Sequence, residues 1–524
     1  MNIQTSHTNH ACVNAKTIAA ILVQLSIILG FGRFAQAVDV VVVCPTNYQQ
    51  SMQKWVDYRT TAGIKVSMIP SQRDSKELQK QIAATATDQT RYVLLVGDAP
   101  VMGVGVDTLR HVPINYRKST VTAKWGSTPT LSTDFQFGDF DNDGVPEACV
   151  GRLPVNRVVE LEQLLARIIS YENSKDFGTW RGDVQLVGGV GGFGFMADRA
   201  IETVTRNIVT SVLPTDTRTS LLYASPGHQF FPKDESFTSA VVDQYAKGAR
   251  FWVYAGHGNV TKLDRVPQTR DGVPVLDSNS LVNLKRPAES APIALILACY
   301  TGAIDASEDS FAENMLLTNG GPVAVFAGSR VTMPYGNTTA AVGLIQAVYE
   351  NKAPRLGDAW LETLKQMKSE DSTKRSTTRL MIDTVAKLVS PAGTTLSDER
   401  DEHMSLYNLL GDPLLSMNPP QELPFKVDVG YPAGEPLNLE FTSPIDGRLA
   451  VFAERPLGTV VGDNPNDLTV ASVNVNVVKN QPVSAKLTLP GDVSGQILIR
   501  AIVSGQGQWA SGGQRTNIRP NSEK

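Results

Sequence analysis

A chain of 524 residues, 42% apolar and 19% charged, has the composition of a folded protein and the length of about three domains at roughly 150 residues each. Its net charge of −4, with no dense Lys/Arg stripe, excludes a nucleic-acid-binding footprint. Four cysteines in so long a chain exclude a disulfide scaffold.

The chain opens with Lys16 ahead of an apolar run over residues 18–31, broken only by Gln24, Ser26 and Gly30. The run is shorter than the ~20 residues a spanning helix needs. Ala35-Gln36-Ala37 after it reads as a small-x-small cleavage site, so residues 1–37 are expected to be a secretory signal peptide. Cys12 would leave with it. That leaves Cys44, Cys149 and Cys299, an odd number in an exported protein, with at least one thiol free. Cys44 and Cys149 fall in predicted strands, where they could pair or simply be buried.

Residues 38–44 (VDVVVVC) are expected to form a buried strand, followed by a helix over 48–61 closed by Gly63. Residues 64–69 read as a strand, 75–84 as a helix, and 92–96 as a strand ending at Gly97-Asp98. Such β-α-β-α-β alternation predicts a parallel sheet with helices on both faces. Residues 99–134 are turn-rich. An acidic loop over 135–147 leads into a short strand at 148–151. After it, Leu161, Leu164, Leu165, Ile168 and Ile169 keep helical spacing. A second α/β unit is expected from residue 183, with helices near 197–212 and 237–247 and strands at 251–255, 293–298 and 323–327. Helices near 340–350 and 356–367 follow; 369–402 are polar and without clear pattern. Pro419-Pro420 marks a boundary. Beyond it, short alternating strands at 437–441, 449–452, 473–478, 485–489 and 497–503 predict a small β-sandwich, and the last dozen residues are polar and expected to fray. The expected domains are therefore 1–37, a signal peptide; 38–175, a first α/β subdomain; 176–418, a second carrying His257 and Cys299; and 419–524, the sandwich with a polar tail.

Two stretches carry chemistry. The buried run at 293–298 stops at Cys299, followed by Tyr300-Thr301-Gly302; the run at 251–255 stops at Gly256-His257-Gly258. Both residues are thus expected at the C-terminal rim of a parallel sheet, where open α/β sheets bind ligands. A thiol and an imidazole at the mouths of neighbouring strands can form a thiolate–imidazolium pair, a strong nucleophile near neutral pH. His111, His228 and His403 lack such a setting. A lone cysteine after an apolar strand is more often core, but here a turn begins at it.

The Gly-His-Gly after one strand and Ala-Cys-x-x-Gly after the next resemble the gingipain family of cysteine peptidases, relatives of caspases. So do four further stretches in the family's order: Lys54-Trp-Val-Asp-Tyr-Arg-Thr-Thr-Ala-Gly-Ile-Lys-Val, Arg91-Tyr-Val-Leu-Leu-Val-Gly-Asp98, Pro146-Glu-Ala-Cys-Val-Gly-Arg152 and Leu410-Gly-Asp-Pro-Leu-Leu415. The resemblance spans roughly residues 38–418 and implies a caspase-like α/β domain of two parallel-sheet halves, with the C-terminal sandwich immunoglobulin-like. It implies an exported cysteine endopeptidase acting on protein or peptide substrates, periplasmic, at the cell surface or extracellular. Cys299 would be the nucleophile and His257 the general acid/base. The main-chain N–H groups of Cys299 and Gly258 would form an oxyanion hole. By the family pattern Glu147 is the best match for a carboxylate behind the histidine, with Asp143 its rival. Tyr335 falls where the family has an aromatic wall of its P1 pocket. A sortase-like transpeptidase would use the same dyad, and a non-catalytic surface binding protein would use the sandwich.

No cofactor is required for this chemistry. Asp139, Asp141, Asp143 and Gly144 match the opening of a calcium loop, but the twelfth position is Val150, where an EF-hand has Glu. The family binds calcium structurally, so the segment reads either as a structural calcium site or as a solvated acidic turn. No nucleic-acid partner and no membrane span after signal cleavage are expected.

Overall fold

The computed structural model describes residues 37–192, 194–369, 376–389, 393–460 and 464–520. The expected signal peptide lies almost wholly outside them. Its centre is one sheet of ten strands, built around short runs of β-branched and other apolar residues that are buried on both faces. In chain order the strands are β1 (Val40–Val43), β2 (Val66–Ile69), β3 (Tyr92–Val96), β4 (Cys149–Leu153), β5 (Asp183–Gly188), β6 (Arg218–Tyr223), β7 (Phe251–Ala255), β8 (Ile293–Leu297), β9 (Ala324–Gly328) and β10 (Tyr407–Leu410). They lie in the order β2-β1-β3-β4-β10-β9-β8-β7-β5-β6.

Two parallel halves meet edge to edge at β10. It runs parallel to β4 but antiparallel to β9. The last strand of the α/β part thus joins the first half, and the two halves point in opposite directions. The C-terminal ends of β7 and β8 therefore share a rim with the N-terminal end of β4.

The helices are α1 (Gln49–Thr61), α2 (Ser75–Thr85), α3 (Val158–Asn173), α4 (Phe195–Asn207), α5 (Phe237–Lys247), α6 (Phe311–Leu317), α7 (Pro334–Ile345), α8 (Leu356–Lys368), α9 (Thr377–Val389) and α10 (Leu396–Leu406). α3 turns Leu161, Leu164, Leu165 and Ile168 inward, as its spacing requires. The patternless stretch 369–402 holds α9 and most of α10. Polar residues conceal α10 in the sequence because its buried face carries Glu399, Arg400, Glu402 and His403, each held by hydrogen bonds.

Beyond residue 419 antiparallel strands enclose a separate apolar core shared by Leu437, Leu439, Phe441, Leu449, Val451, Ile497 and Ile499. The expected fraying of the C-terminus does not occur as far as residue 519. Trp509–Arg519 pairs along the whole of Gly495–Ser504. Several of its side chains are solvated, so its sequence reads as polar while its main chain is held in the sheet. Among the described residues no helix is long and apolar enough to cross a membrane.

Candidate active site

The ladder between β7 and β8 places Leu297 opposite Ala255, and Gly256 N–H donates to Leu297 O at 3.3 Å to extend it. His257 and Cys299 each follow two residues beyond these paired ends, on neighbouring strands. The backbones stay close past the ladder. A Cβ at Gly258 would lie 2.9 Å from both Ala298 Cβ and the Cys299 carbonyl oxygen, so only glycine fits.

Tyr300 turns the chain sharply after Cys299 by adopting a left-handed φ of 59°, rare for a bulky residue. Two bonds hold that conformation: Tyr300 N–H donates to Arg330 O at 3.0 Å, and Tyr300 OH accepts from Thr128 N–H at 3.2 Å. Arg330 is itself fixed by a buried bidentate pair with Asp305, at 2.9 and 2.6 Å. Burial opposes ionisation of Asp305, but the Arg330 hydrogen bonds and charge outweigh it and hold its carboxyl below the usual range.

The thiol faces Thr332, whose N–H donates to Sγ at 3.3 Å. Thr332 Oγ1 accepts from Asn337 Nδ2 at 3.1 Å, and Asn337 Oδ1 accepts from Tyr407 OH at 2.8 Å. Met333 N–H donates to His403 Nε2 at 2.8 Å, fixing the same turn from behind. Cys299 is partly exposed, whereas Cys44, just past β1, and Cys149, in β4, are buried and unpaired. Burial pushes the Cys44 thiol up to about 12 and raises Cys149 as well, so neither is a thiolate at neutral pH.

His257 Nε2 lies 2.9 Å from Gly191 O. A carbonyl can only accept, so Nε2 carries the proton in this arrangement. The His257 carbonyl accepts from Tyr254 OH at 2.7 Å, and Asp264 Oδ2 accepts from Val190 N–H at 3.0 Å. These bonds stitch the loop after β7 to the loop after β5. Asp198, at the start of α4, accepts from Gly192 N–H at 3.2 Å. No hydrogen bond engages the N–H of Cys299 or of Gly258 among the described residues, so both donors are available to an incoming oxygen. An apolar cavity of about 190 Å³ opens beside Cys299 and Gly256 and runs down the sheet face past Leu297, Val253 and Leu295 to α4 and α7.

Two expectations are corrected. Glu147 is on the same rim, but β4 and β7 are separated by β10, β9 and β8, four strand spacings or about 19 Å. Its carboxylate instead accepts from Phe140 N–H and joins Asp139, Asp141 and Asp143, so neither Glu147 nor its rival Asp143 is brought to the imidazole. Tyr335 turns away from the cleft. Its hydroxyl donates to Asp383 and accepts from Arg400, both at 2.7 Å, so it packs against α9 and α10 while Pro334, Asn337, Thr338 and Ala341 line the cavity. The sequence reading missed Thr332, Gly191 and the Arg330–Asp305 pair. Gly191 acts through its main chain and leaves no side-chain signal; Arg330, just past β9, stood at the same rim and could have been found there.

The sequence model of peptidase family C25 matches residues 34–418. Among solved structures, the chain is similar to the Arg-specific cysteine proteinase gingipain R (RgpB), with 15% identity and a TM-score of 0.53 over 92% of this chain and 98% of that one. It is similar also to the complex of Porphyromonas gingivalis RgpB pro- and mature domains, with 14% identity and a TM-score of 0.51 over 92% of this chain and 100% of that one. A third structure, described as a protease, gives 12% identity and a TM-score of 0.53 over 92% and 97%. At such identities the structural likeness speaks for the fold, and the family match speaks for the chemistry. No curated protein sequence matches the chain.

Proposed function

The chain belongs to peptidase family C25, the gingipain family of cysteine-type peptidases, and from that premise we propose that it is an exported cysteine endopeptidase working through an acyl-enzyme on Cys299. The observation that supports this reading is the β7–β8 pairing, whose ladder ends at Ala255 and Leu297, two residues short of His257 and Cys299. The Cys299 thiolate attacks the scissile carbonyl carbon, and the N–H groups of Cys299 and Gly258 receive the oxyanion. Imidazolium His257 gives its proton to the departing amine as the C–N bond breaks. Water, deprotonated by His257, then cleaves the thioester, releasing the acid and restoring the thiolate–imidazolium pair.

The Gly191 carbonyl accepts from His257 Nε2–H at 2.9 Å. It orients the ring without adding a full charge. The cavity beside Cys299 is the adjoining space for a substrate side chain. Export rests on the charged, apolar and small-residue pattern of residues 1–37.

Cleavage of a peptide library by wild type and Cys299→Ala tests the assignment. Wild type is expected to cut internal bonds, and the variant to lose about a thousandfold or more in kcat/KM. Undiminished cleavage by Cys299→Ala would remove the thiol from the mechanism.

A further inference from the structure

The central sheet leaves part of one face uncovered. On β7 the residues turned to one side, Trp252 and Tyr254, are fully buried, as an interior strand requires. On the other side Val253 is only half-buried and Ala255 is exposed. The parallel register sets two rows across that side. Leu186, Val253 and Leu295 form one; Gly188, Ala255 and Leu297 form the next, nearer Cys299. The apolar cavity beside Cys299, about 190 Å³, lies over these rows. Its opposite wall is one face of α7, where Thr338 and Ala341 are small and Leu344 and Ile345 follow further down.

The size and the walls of this space decide what can occupy it. Apolar cavities of roughly 150 Å³ hold a benzene ring, so about 190 Å³ admits one phenyl ring or one long aliphatic side chain. Among the described residues no Lys, Arg or His lines it, and Asp198 is its one carboxylate. Asp198 accepts from Gly192 N–H at 3.2 Å and so belongs to the brace of the loop after β5. The polar side chains of α7 are used within the protein as well. Thr338 Oγ1–H donates to Pro334 O at 2.7 Å, and Asn337 is bonded at both ends, to Thr332 and to Tyr407. An ammonium, guanidinium or carboxylate carried down onto the two rows would lose its water and meet aliphatic carbon. An apolar side chain gains with every carbon it buries there.

The position of the cavity selects one half of the substrate. Cys299 stands on its wall and His257 does not. The acyl half stays on sulfur after the first step, while the leaving amine must reach the imidazole to take its proton. A space that adjoins the thiol and not the imidazole therefore serves the acyl half. Resting on the peptidase reading of Cys299, we propose that this cavity receives the side chain of the residue whose carbonyl is attacked, and that this residue is large and apolar: phenylalanine, leucine or methionine.

The test uses the full-length protein and six peptides that differ only at that residue: Phe, Leu, Met, Ala, Lys and Glu. Mass spectrometry locates the cut bond and kcat/KM ranks the series. Phe, Leu and Met are expected to exceed Ala at least tenfold, and Lys and Glu about a hundredfold. Ala341→Phe puts a ring into the cavity and is expected to bring the Phe peptide down to the Ala peptide or below it. Should that variant fail to fold, Ala341→Leu takes its place, with the advantage of Phe over Ala reduced at least threefold. Wild type cutting best after Lys or Glu, or equally after all six, would overturn the apolar assignment and leave a Cys299 peptidase in place. An unchanged preference in the filled variant would do the same. No cleavage of any of the six would overturn it as well, and if iodoacetamide also leaves Cys299 unlabelled the peptidase reading falls with it.

Discussion

Three cysteines with one chemistry behave differently because of where their strands leave them. Cys44 and Cys149 were legible as strand residues, and both are buried and unpaired. Cys299 was legible as a strand-end residue because an apolar run stopped at it. What the sequence concealed was the support beneath it. Arg330 and Asp305 are 25 residues apart, and each looks like an ordinary surface charge. Together they form a buried pair, and the Arg330 carbonyl holds Tyr300 in its left-handed turn. Removing one partner of such a pair leaves the other charge buried and uncompensated, at a cost of about 3–5 kcal/mol. Asp305→Ala is therefore expected to lower stability by that order in urea unfolding. Because the turn after the nucleophile loosens, kcat should fall more than KM rises. A wild-type kcat in a correctly folded variant would show that the pair does not position the thiol.

At the scale of elements, α10 combines structural burial with polar residues. Glu402 accepts from the N–H groups of Thr120, Val121 and Thr122; burial opposes its charge, but these donors prevail and draw it down to about 2. Glu399 has less help. Burial dominates, against Gly336 N–H and the Arg400 charge, and lifts it to about 7, whereas in the unfolded chain it titrates near about 4.3. The folded state thus holds the proton more tightly. The contribution of Glu399 to stability is complete below about pH 4.3 and is lost as pH rises through about 7. His403 on the same helix acts in the opposite direction. Burial lowers it to about 4, so its contribution is present above the unfolded value of about 6.5 and is lost as pH falls through about 4. Glu399→Gln keeps an oxygen for Gly336 and removes the charge. Its urea midpoint should equal wild type near pH 4 and exceed it at pH 8. Equal midpoints at both pH values would mean that Glu399 is not held protonated by the fold. None of this was readable beforehand, since a helix of acids with little apolar periodicity looks like a solvated loop.

At the scale of the whole molecule, the alternation of strands and helices was legible, and so was the passage to a β-sandwich after Pro419-Pro420. The order of strands was not. Placement of β10 at the seam depends on a contact between residues near 151 and near 409, which no local pattern encodes. That placement puts Glu147 on the active rim and still four strands from His257, so a motif match named the right edge and the wrong partner. The sandwich is fastened to the second half through Arg500, which meets Asp183 at 2.9 Å, and through Trp509 Nε1–H, which donates to Asn418 O at 2.7 Å. Against that background the most direct measurement is to treat intact wild-type protein and His257→Ala with a peptidyl electrophile and locate the adduct by peptide mass mapping. The expected result is a single adduct on Cys299, formed about a hundredfold more slowly without His257, with Cys44 and Cys149 unmodified. An adduct elsewhere, or the same rate on Cys299 in both proteins, would contradict a cysteine–histidine dyad at this rim.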